Sequence, residues 1–303
     1  MGKGMVFLTV LLCFCLPASP TQGAPVEVLE GHFIIGGQWT NASESSIQMT
    51  DVIELPGLVE DYTATWCTNC VDVEHALEEI PTIYLQQYHF HRAIGETEDP
   101  FGSIILDERW EERYDKRIPP TVVFNGSLKK VGSVPESNSL KEDYDTLTNT
   151  SAPIQEGQTQ FSWTPSEGEG VLTWNFDPAG FSLENYTVQV QAWFVETGAT
   201  FEEGSNNLGY YPHIVEEIHS LGEVLNGTAT LSIPTAYDGD DIEIHLMYEF
   251  QSKYNQQEPA DLWWNSAEGG GDALPFIGLF DVILVIALVF VFRDTASIKV
   301  RRI

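Results

Sequence analysis

The feature that most constrains this chain is a Trp-Cys-x-x-Cys motif within "YTATWCTNC", residues 62–70. The residues leading into it, 58–65 or "LVEDYTAT", are rich in β-branched and aromatic side chains and predict a buried strand. The residues that follow, 70–80 or "CVDVEHALEEI", carry apolar side chains at helical spacing. The sequence therefore predicts that Cys67 lies where a strand gives way to the N-terminus of a helix.

This position gives the two sulfurs different chemistry. The unpaired amides and the dipole at a helix N-terminus favour a thiolate, which makes Cys67 the attacking sulfur. Cys70 lies one turn further along the helix and is expected to be more buried. It would resolve a mixed disulfide by attacking Cys67. We therefore predict unequal catalytic roles for the two cysteines.

Two other interpretations of the pair are open at this point. A permanent disulfide across so short a loop would remove little chain entropy and would stabilise poorly. A metal site needs more ligands, and the nearest candidate is His75, in the helix after Cys70. Copper could still be held by both cysteines and one histidine. We predict a working redox pair, with no metal and no cofactor.

Residues around the motif resemble the thioredoxin superfamily, in which a strand reads roughly V-D-F-x-A-x-W-C-x-x-C. The matching residues here are Val59, Asp61, Ala64, Trp66, Cys67 and Cys70. The resemblance implies an α/β thioredoxin-like domain. It also implies that Asp61 is a catalytic buried acid whose raised pKa lets it take or deliver the proton of Cys70. The intervening Thr68-Asn69 offers Cys67 no imidazole, which favours a reductase or isomerase over a strong oxidant.

The second mark of the superfamily is a cis-proline that faces the disulfide. Its pattern occurs in "YDKRIPPTVVFNG", residues 114–126. The resemblance implies that Pro120 is the cis residue and shapes a substrate groove lined by Trp66, Pro119 and Thr121. Pro119 has no N–H, so half of the usual backbone contact with a client strand is missing.

The pattern of apolar and polar residues along the chain changes near residue 150. Residues 25–150 alternate predicted strands and helices, with an insertion around "GETEDPFGSII", residues 95–105, that should border the cysteines. Residues 155–260 alternate apolar and polar side chains between turn signals, as in an immunoglobulin- or fibronectin-like β-sandwich. The expected fold class is an α/β thioredoxin-like domain followed by an all-β sandwich and one C-terminal transmembrane helix.

Both ends of the chain indicate a membrane protein. Residues 1–24 have the order of a secretory signal peptide, with Lys3 before an apolar run and small residues after it. A flexible linker, 261–273, leads to the apolar segment 274–292, which is long enough for a transmembrane helix. The basic tail 293–303 would stay in the cytoplasm. The expected location is the cell membrane, with a single span and the N-terminal part outside.

The charge of the chain excludes one class of partner. Its 45 acidic and 14 basic residues give a formal net charge of −31, and such a surface repels the phosphates of nucleic acids. Five Asn-x-Ser/Thr triplets are consistent with a glycoprotein. They begin at Asn41, Asn125, Asn149, Asn185 and Asn226.

Together these features predict a membrane-anchored, extracytoplasmic thiol:disulfide oxidoreductase that acts on disulfide-containing client proteins. The sequence has no flavin or nicotinamide fingerprint, so a membrane electron donor is expected, and Asp281 within the span is a candidate contact for it. Two alternatives are a binding or adhesion ectodomain that uses the fold as a scaffold, and a metallochaperone or cytochrome-maturation reductase.

Overall fold

Strands far outnumber helices in the computed structural model, which describes residues 23–95 and 97–254. The strands are β1 Glu27–Val28, β2 His32–Asn41, β3 Ser46–Asp51, β4 Gly57–Thr63, β5 Leu85–His91, β6 Thr121–Phe124, β7 Leu128–Val131, β8 Gln158–Ser166, β9 Glu169–Asp177, β10 Tyr186–Thr200, β11 Tyr210–Gly222, β12 Asn226–Ser232 and β13 Ile242–Ser252. The helices are α1 Cys70–Glu78, α2 Ile104–Tyr114 and α3 Leu140–Thr148, with a 3₁₀ turn at Val52–Glu54.

The strands form two sheets. The large sheet has nine strands in the order β1-β7-β6-β4-β5-β11-β10-β13-β2, and the small sheet has four in the order β12-β9-β8-β3. Strands β4 and β5 are parallel, whereas β6 and β7 continue the large sheet in antiparallel pairing. Strand β11 joins β5 through a single parallel pair, Ile214 with His89. Strand β2 ends the order yet contacts β4, so the large sheet curls.

The predicted fold class is wrong. The described residues are 46% strand and 14% helix, which is a mostly β fold and not an α/β thioredoxin fold followed by a separate sandwich. Strands from both sides of residue 150 share each sheet, since β2 pairs with β13, β5 with β11, and β3 with β8. The described residues, 23–95 and 97–254, group into one compact unit. The patterns identified individual strands, but strand partners distant in sequence leave no local signal.

Two local predictions are confirmed. The strand before the cysteines is β4 and the helix after them is α1. After the two prolines, β6 and β7 form a hairpin around an Asn125-Gly126 turn. Both of these turn residues have positive φ, as the sharp reversal requires.

The three largest groups of buried apolar side chains among the described residues fill most of the fold. The first lies between the two sheets and includes Trp163 and Trp174 of the small sheet with Phe194 and Tyr248 of the large one. The second lies on the other face of the large sheet, around Trp110 of α2. The third lies beneath α1 and α3 and supports the segment that carries the cysteines.

A buried ion cluster attaches α2 to two strands that are far apart in the large sheet. Arg109 pairs with Glu60 of β4 at 3.1 Å and with Glu249 of β13 at 3.4 Å. Arg113 also pairs with Glu249, and Tyr114 donates a hydrogen bond to Glu60. Burial alone would raise the pKa of Glu249, but the charges of Arg113 and Arg109 outweigh it and lower that pKa.

Several predictions fall outside the described residues. They concern the signal peptide, apart from its last two residues, and the whole of the linker 261–273, the transmembrane segment 274–292 and the tail 293–303. Within residues 23–95 and 97–254, no helix is long and apolar enough to cross a bilayer. Among the predicted glycosylation positions, the Asn125 side chain is engaged inside the fold, where it accepts from the Leu58 amide and donates to the Thr150 carbonyl.

Candidate redox site at Cys67 and Cys70

The chain reaches the cysteines by a tight turn between β4 and α1. The amide of Cys67 donates to the Ala64 carbonyl at 2.9 Å, and the amide of Cys70 donates to the Cys67 carbonyl at 3.2 Å. Helix α1 begins at Cys70 itself. Cys67 therefore lies in the turn that leads into the helix, three residues before the first helical position, where the influence of the helix dipole is weaker than predicted.

The two sulfurs form a disulfide with an S–S length of 2.03 Å. Cys67 is 7% exposed and Cys70 is fully buried, while Thr68 and Asn69 between them are exposed. An incoming thiol can therefore approach Cys67 but not Cys70. Within residues 23–95 and 97–254, no group of three or more His, Cys, Asp or Glu side chains is arranged to hold a metal ion.

Two carboxyl groups are buried on the two elements that flank the disulfide, β4 and α1. Asp61 lies on β4, and neither of its oxygens has a hydrogen-bond partner among the described residues. Burial, and then the nearby Glu74, raise the pKa of Asp61 well above its usual range. Glu74 lies on α1, is 2% exposed and accepts a hydrogen bond from the Thr63 hydroxyl. Burial raises the pKa of Glu74 as well.

Glu74 did not emerge from the sequence reasoning. The signal was present, because Glu74 is one helical turn beyond Cys70 and lies between the apolar residues Val73 and Leu77. A glutamate on the apolar side of a predicted helix is either a misplaced residue or a functional one. Here the Glu74 side chain is 2% exposed and lies one helical turn from Cys70 along α1.

The Pro119–Pro120 peptide bond is cis, as predicted. Thr121 pairs with Tyr62 across β6 and β4, and continuing this register places Pro120 beside Thr63, at the end of the strand that leads to Cys67. The Pro120 carbonyl accepts from the Gly132 amide at 2.8 Å. Pro120 and Thr121 are buried and Pro119 is half-buried, so only Pro119 among them offers accessible surface to a ligand.

Trp66 is half-buried and is covered by the loop that follows β5. A Cβ atom on Gly95 would lie 1.8 Å from the Trp66 ring, so this loop contacts the indole. Gly95 begins the segment that was predicted to border the cysteines. Arg92 donates to the carbonyls of Ile94 at 2.8 Å and Arg117 at 2.7 Å. One guanidinium thereby joins the Gly95 loop to the segment before the cis peptide bond.

Two polar side chains that the sequence did not reveal hold the turn before Cys67. Asp99 accepts from the Thr65 amide at 2.6 Å and pairs with His91 at 3.2 Å. Asn206, from the connection between β10 and β11, donates its backbone amide to the Thr65 carbonyl and its side-chain amide to the Ala64 carbonyl. The cysteine turn is thus fixed from two directions, one of them by the chain beyond residue 150.

Comparison with known proteins adds little to this geometry. No protein-family model matches the chain, and no curated protein matches it. A crystal structure of a protein from Agrobacterium tumefaciens, determined by a structural genomics consortium, is similar at 19% identity. The match covers 58% of this chain and 78% of that one, with a TM-score of 0.42. We draw no argument from so distant a likeness.

The contact between Gly95 and Trp66 leads to a stability prediction. We expect Gly95→Ala to destabilise the protein by about 1–3 kcal/mol, because the new methyl group must displace the indole or the loop. The free energy of unfolding is measured in urea. Gly180→Ala is the matched control, since its Cβ would enter open space, and it should change stability by less than about 0.5 kcal/mol. Equal effects of the two substitutions would contradict the assigned contact.

Proposed function

We propose that the protein catalyses thiol–disulfide exchange on protein disulfides, and that the segments carrying its cysteines and its cis-proline are related to those of the thioredoxin superfamily. The observation that carries the proposal is the asymmetry of the pair. Cys67 keeps a small exposed fraction, 7%, between the exposed Thr68 and the half-buried Trp66, whereas Cys70 is fully buried, and the turn that carries them joins β4 to α1, on which the buried carboxyl groups of Asp61 and Glu74 lie. A purely structural staple needs neither the asymmetry nor the carboxyls.

The reaction balances as two successive exchanges. The reduced Cys67 thiolate attacks a client disulfide, a bond forms between Cys67 and one client sulfur, and the other client sulfur leaves as a thiolate. Cys70 then loses its proton to the buried carboxyl groups and attacks Cys67. This step re-forms the Cys67–Cys70 disulfide and releases the reduced client. A dithiol reductant returns the protein to its starting state.

The surroundings of Cys67 support an extended, apolar client segment. Ile94 is 64% exposed and Ile118 is 47% exposed. The two residues lie in the segments that Arg92 joins, with the half-buried Trp66 beneath the Gly95 loop. Pro119 offers a client backbone no donor, so side-chain contacts with these residues carry more of the recognition. The net charge of −31 disfavours nucleic acid as a partner.

The location is part of the proposal. A signal peptide at 1–24 and a span at 274–292 would place the cysteines outside the cell, attached to the membrane and supplied by a membrane electron donor. Expression in the native host followed by protease treatment of intact cells tests this arrangement. Protection of the cysteine-bearing part from an added protease would contradict it.

Turnover is the direct test of the activity. We expect the purified full-length protein to accelerate the reduction of insulin by dithiothreitol, and Cys67→Ser to return the rate to that of the blank, because no other exposed thiol lies at the site. Thr68→Ser, at the exposed neighbouring position, is the matched control and should stay active. If wild type and Cys67→Ser both equal the blank, the proposal fails and a binding or adhesion role gains support.

A further inference from the structure

We propose that Asp61 and Glu74 share one proton and act together as the base that takes the proton of Cys70. The inference rests on the proposed thiol–disulfide exchange and assigns to Glu74 a role that the resemblance to thioredoxins does not supply. Asp61 lies on β4 and Glu74 on α1, and the hydrogen bond from Thr63 of β4 to Glu74 joins these two elements.

The register of β4 and β5 brings the cluster together. Asp61 pairs with His89 and Thr63 pairs with His91, and side chains two residues apart point to the same face of a strand. Helix α1 covers this face, as the hydrogen bond from Thr63 to Glu74 shows. Cys70 and Glu74 are one helical turn apart on α1 and therefore lie on the same side of it.

The charges around Asp61 and Glu74 allow only one of these two carboxyl groups to be ionised. The titratable groups facing the two carboxyls are His75 and Glu78 on α1, His89 and His91 on β5, Tyr144 on α3 and Tyr211 on β11. None of them is a lysine or an arginine. His91 is paired with Asp99, and His75 is exposed. Two ionised carboxylates would therefore be buried without a permanent counter-charge, which is strongly unfavourable.

The hydrogen bonds indicate which group carries the charge. Glu74 accepts from the Thr63 hydroxyl, which stabilises its carboxylate form, whereas both oxygens of Asp61 lack partners among the described residues. Asp61 is therefore the site where the shared proton resides while the disulfide is intact. When Cys70 attacks, its S–H bond breaks and the pair takes up a second proton. That proton passes to solvent as the disulfide closes.

The two carboxyl groups titrate as a coupled pair, so a substitution of Glu74 must change the pKa of Asp61. The charge of Glu74 raises the pKa of Asp61, and Glu74→Gln removes that charge while still accepting from Thr63. The pKa of Asp61 must then fall. We expect the midpoint of the pH dependence of Cys70 attack to fall by about one pH unit or more in this variant.

The experiment follows the two exchange steps separately in the full-length protein with Cys13 and Cys15 replaced by serine. Reduced protein is mixed with Ellman's reagent, which releases one thionitrobenzoate when Cys67 attacks and a second when Cys70 closes the disulfide. The rate of the second release is recorded against pH. Glu79→Gln is the matched control, because Glu79 is an exposed glutamate at the C-terminal end of α1, and its midpoint should equal that of the wild type. A Glu74→Gln midpoint equal to the control would overturn the proposal.

A second readout does not depend on activity. Infrared spectra of the oxidised wild-type protein at about pH 7 should show the carbonyl stretch of one protonated buried carboxyl, and Asp61→Asn should lack it. A wild-type spectrum with both groups ionised would also refute the shared proton. If the infrared band is present but insulin is not reduced, the carboxyl pair stands and the proposed function fails. The two failures are therefore distinguishable.

Discussion

Protein carrying Cys70→Ser is expected to accumulate client proteins bound through Cys67, visible as adducts of higher mass on non-reducing gels that disappear with dithiothreitol. Cys67 is expected to form the mixed disulfide because it is the cysteine of the pair that keeps some exposure, 7%. Cys70 is the sulfur positioned to break that bond, and a serine hydroxyl does not replace it. The adducts should form in the native host and survive rapid acid quenching with thiol alkylation.

The reverse substitution supplies the control. Cys67→Ser leaves a free thiol at Cys70, but that sulfur is fully buried and should capture no client. Both variants are made with Cys13 and Cys15 replaced by serine, so that the captured bond is assigned to one sulfur. Equal capture by the two variants would contradict the assignment of Cys67 as the attacking residue. The captured proteins would also identify the clients.

A chain that ends at Thr150 is expected not to fold, although it contains every predicted site residue. Strand β2 would lose β13, β5 would lose β11, and β3 would lose β8. The buried side chains of Phe33 and Ile35 pack against the part that is removed. Exposing a fully buried apolar side chain costs about 1.5–3 kcal/mol, so a few such losses equal the roughly 5–15 kcal/mol that stabilises a whole domain.

Near-ultraviolet circular dichroism and a urea titration measure this outcome, with insulin reduction as the functional readout. A chain ending at Gln256 is the control, because residues up to that point form one compact unit, and it should keep both the cooperative transition and the activity. A cooperative transition in the shorter chain would mean that the shared sheets are not needed for its stability.

The sequence was most informative where structure depends on neighbours in the chain. The β4 strand, the cysteine turn and helix α1 are encoded within about twenty residues of continuous pattern. The cis bond before Pro120 and the Asn125-Gly126 turn were likewise predictable, because each is a property of a short local sequence. Helical spacing also marks Glu74, because it lies one turn past Cys70 on the apolar side of the predicted helix.

The features of the fold and the site that the sequence did not predict depend on contacts between segments that are distant in the chain. Nothing near Thr65 in the sequence indicates that its amide is held by Asp99 and its carbonyl by Asn206. Strand β2 carries consecutive apolar residues because Phe33 and Ile35 face one core and Ile34 another, a pattern that is equally consistent with a buried strand in a smaller α/β domain. The assumed boundary near residue 150 was a change of composition, and the sheets cross it.

The ion cluster on α2 restricts how the large sheet can be assembled. Side chains alternate between the faces of a strand, so sliding β13 by one residue would turn Glu249 away from the helix and leave Arg113 enclosed without its ion-pair partner. Sliding β4 by one residue would likewise turn Glu60 away from Arg109. A buried charge without a counter-ion costs several kcal/mol of folding free energy. Sheets with a shifted strand register are therefore disfavoured, and these ion pairs select a single alignment of two strands that are distant in the sequence.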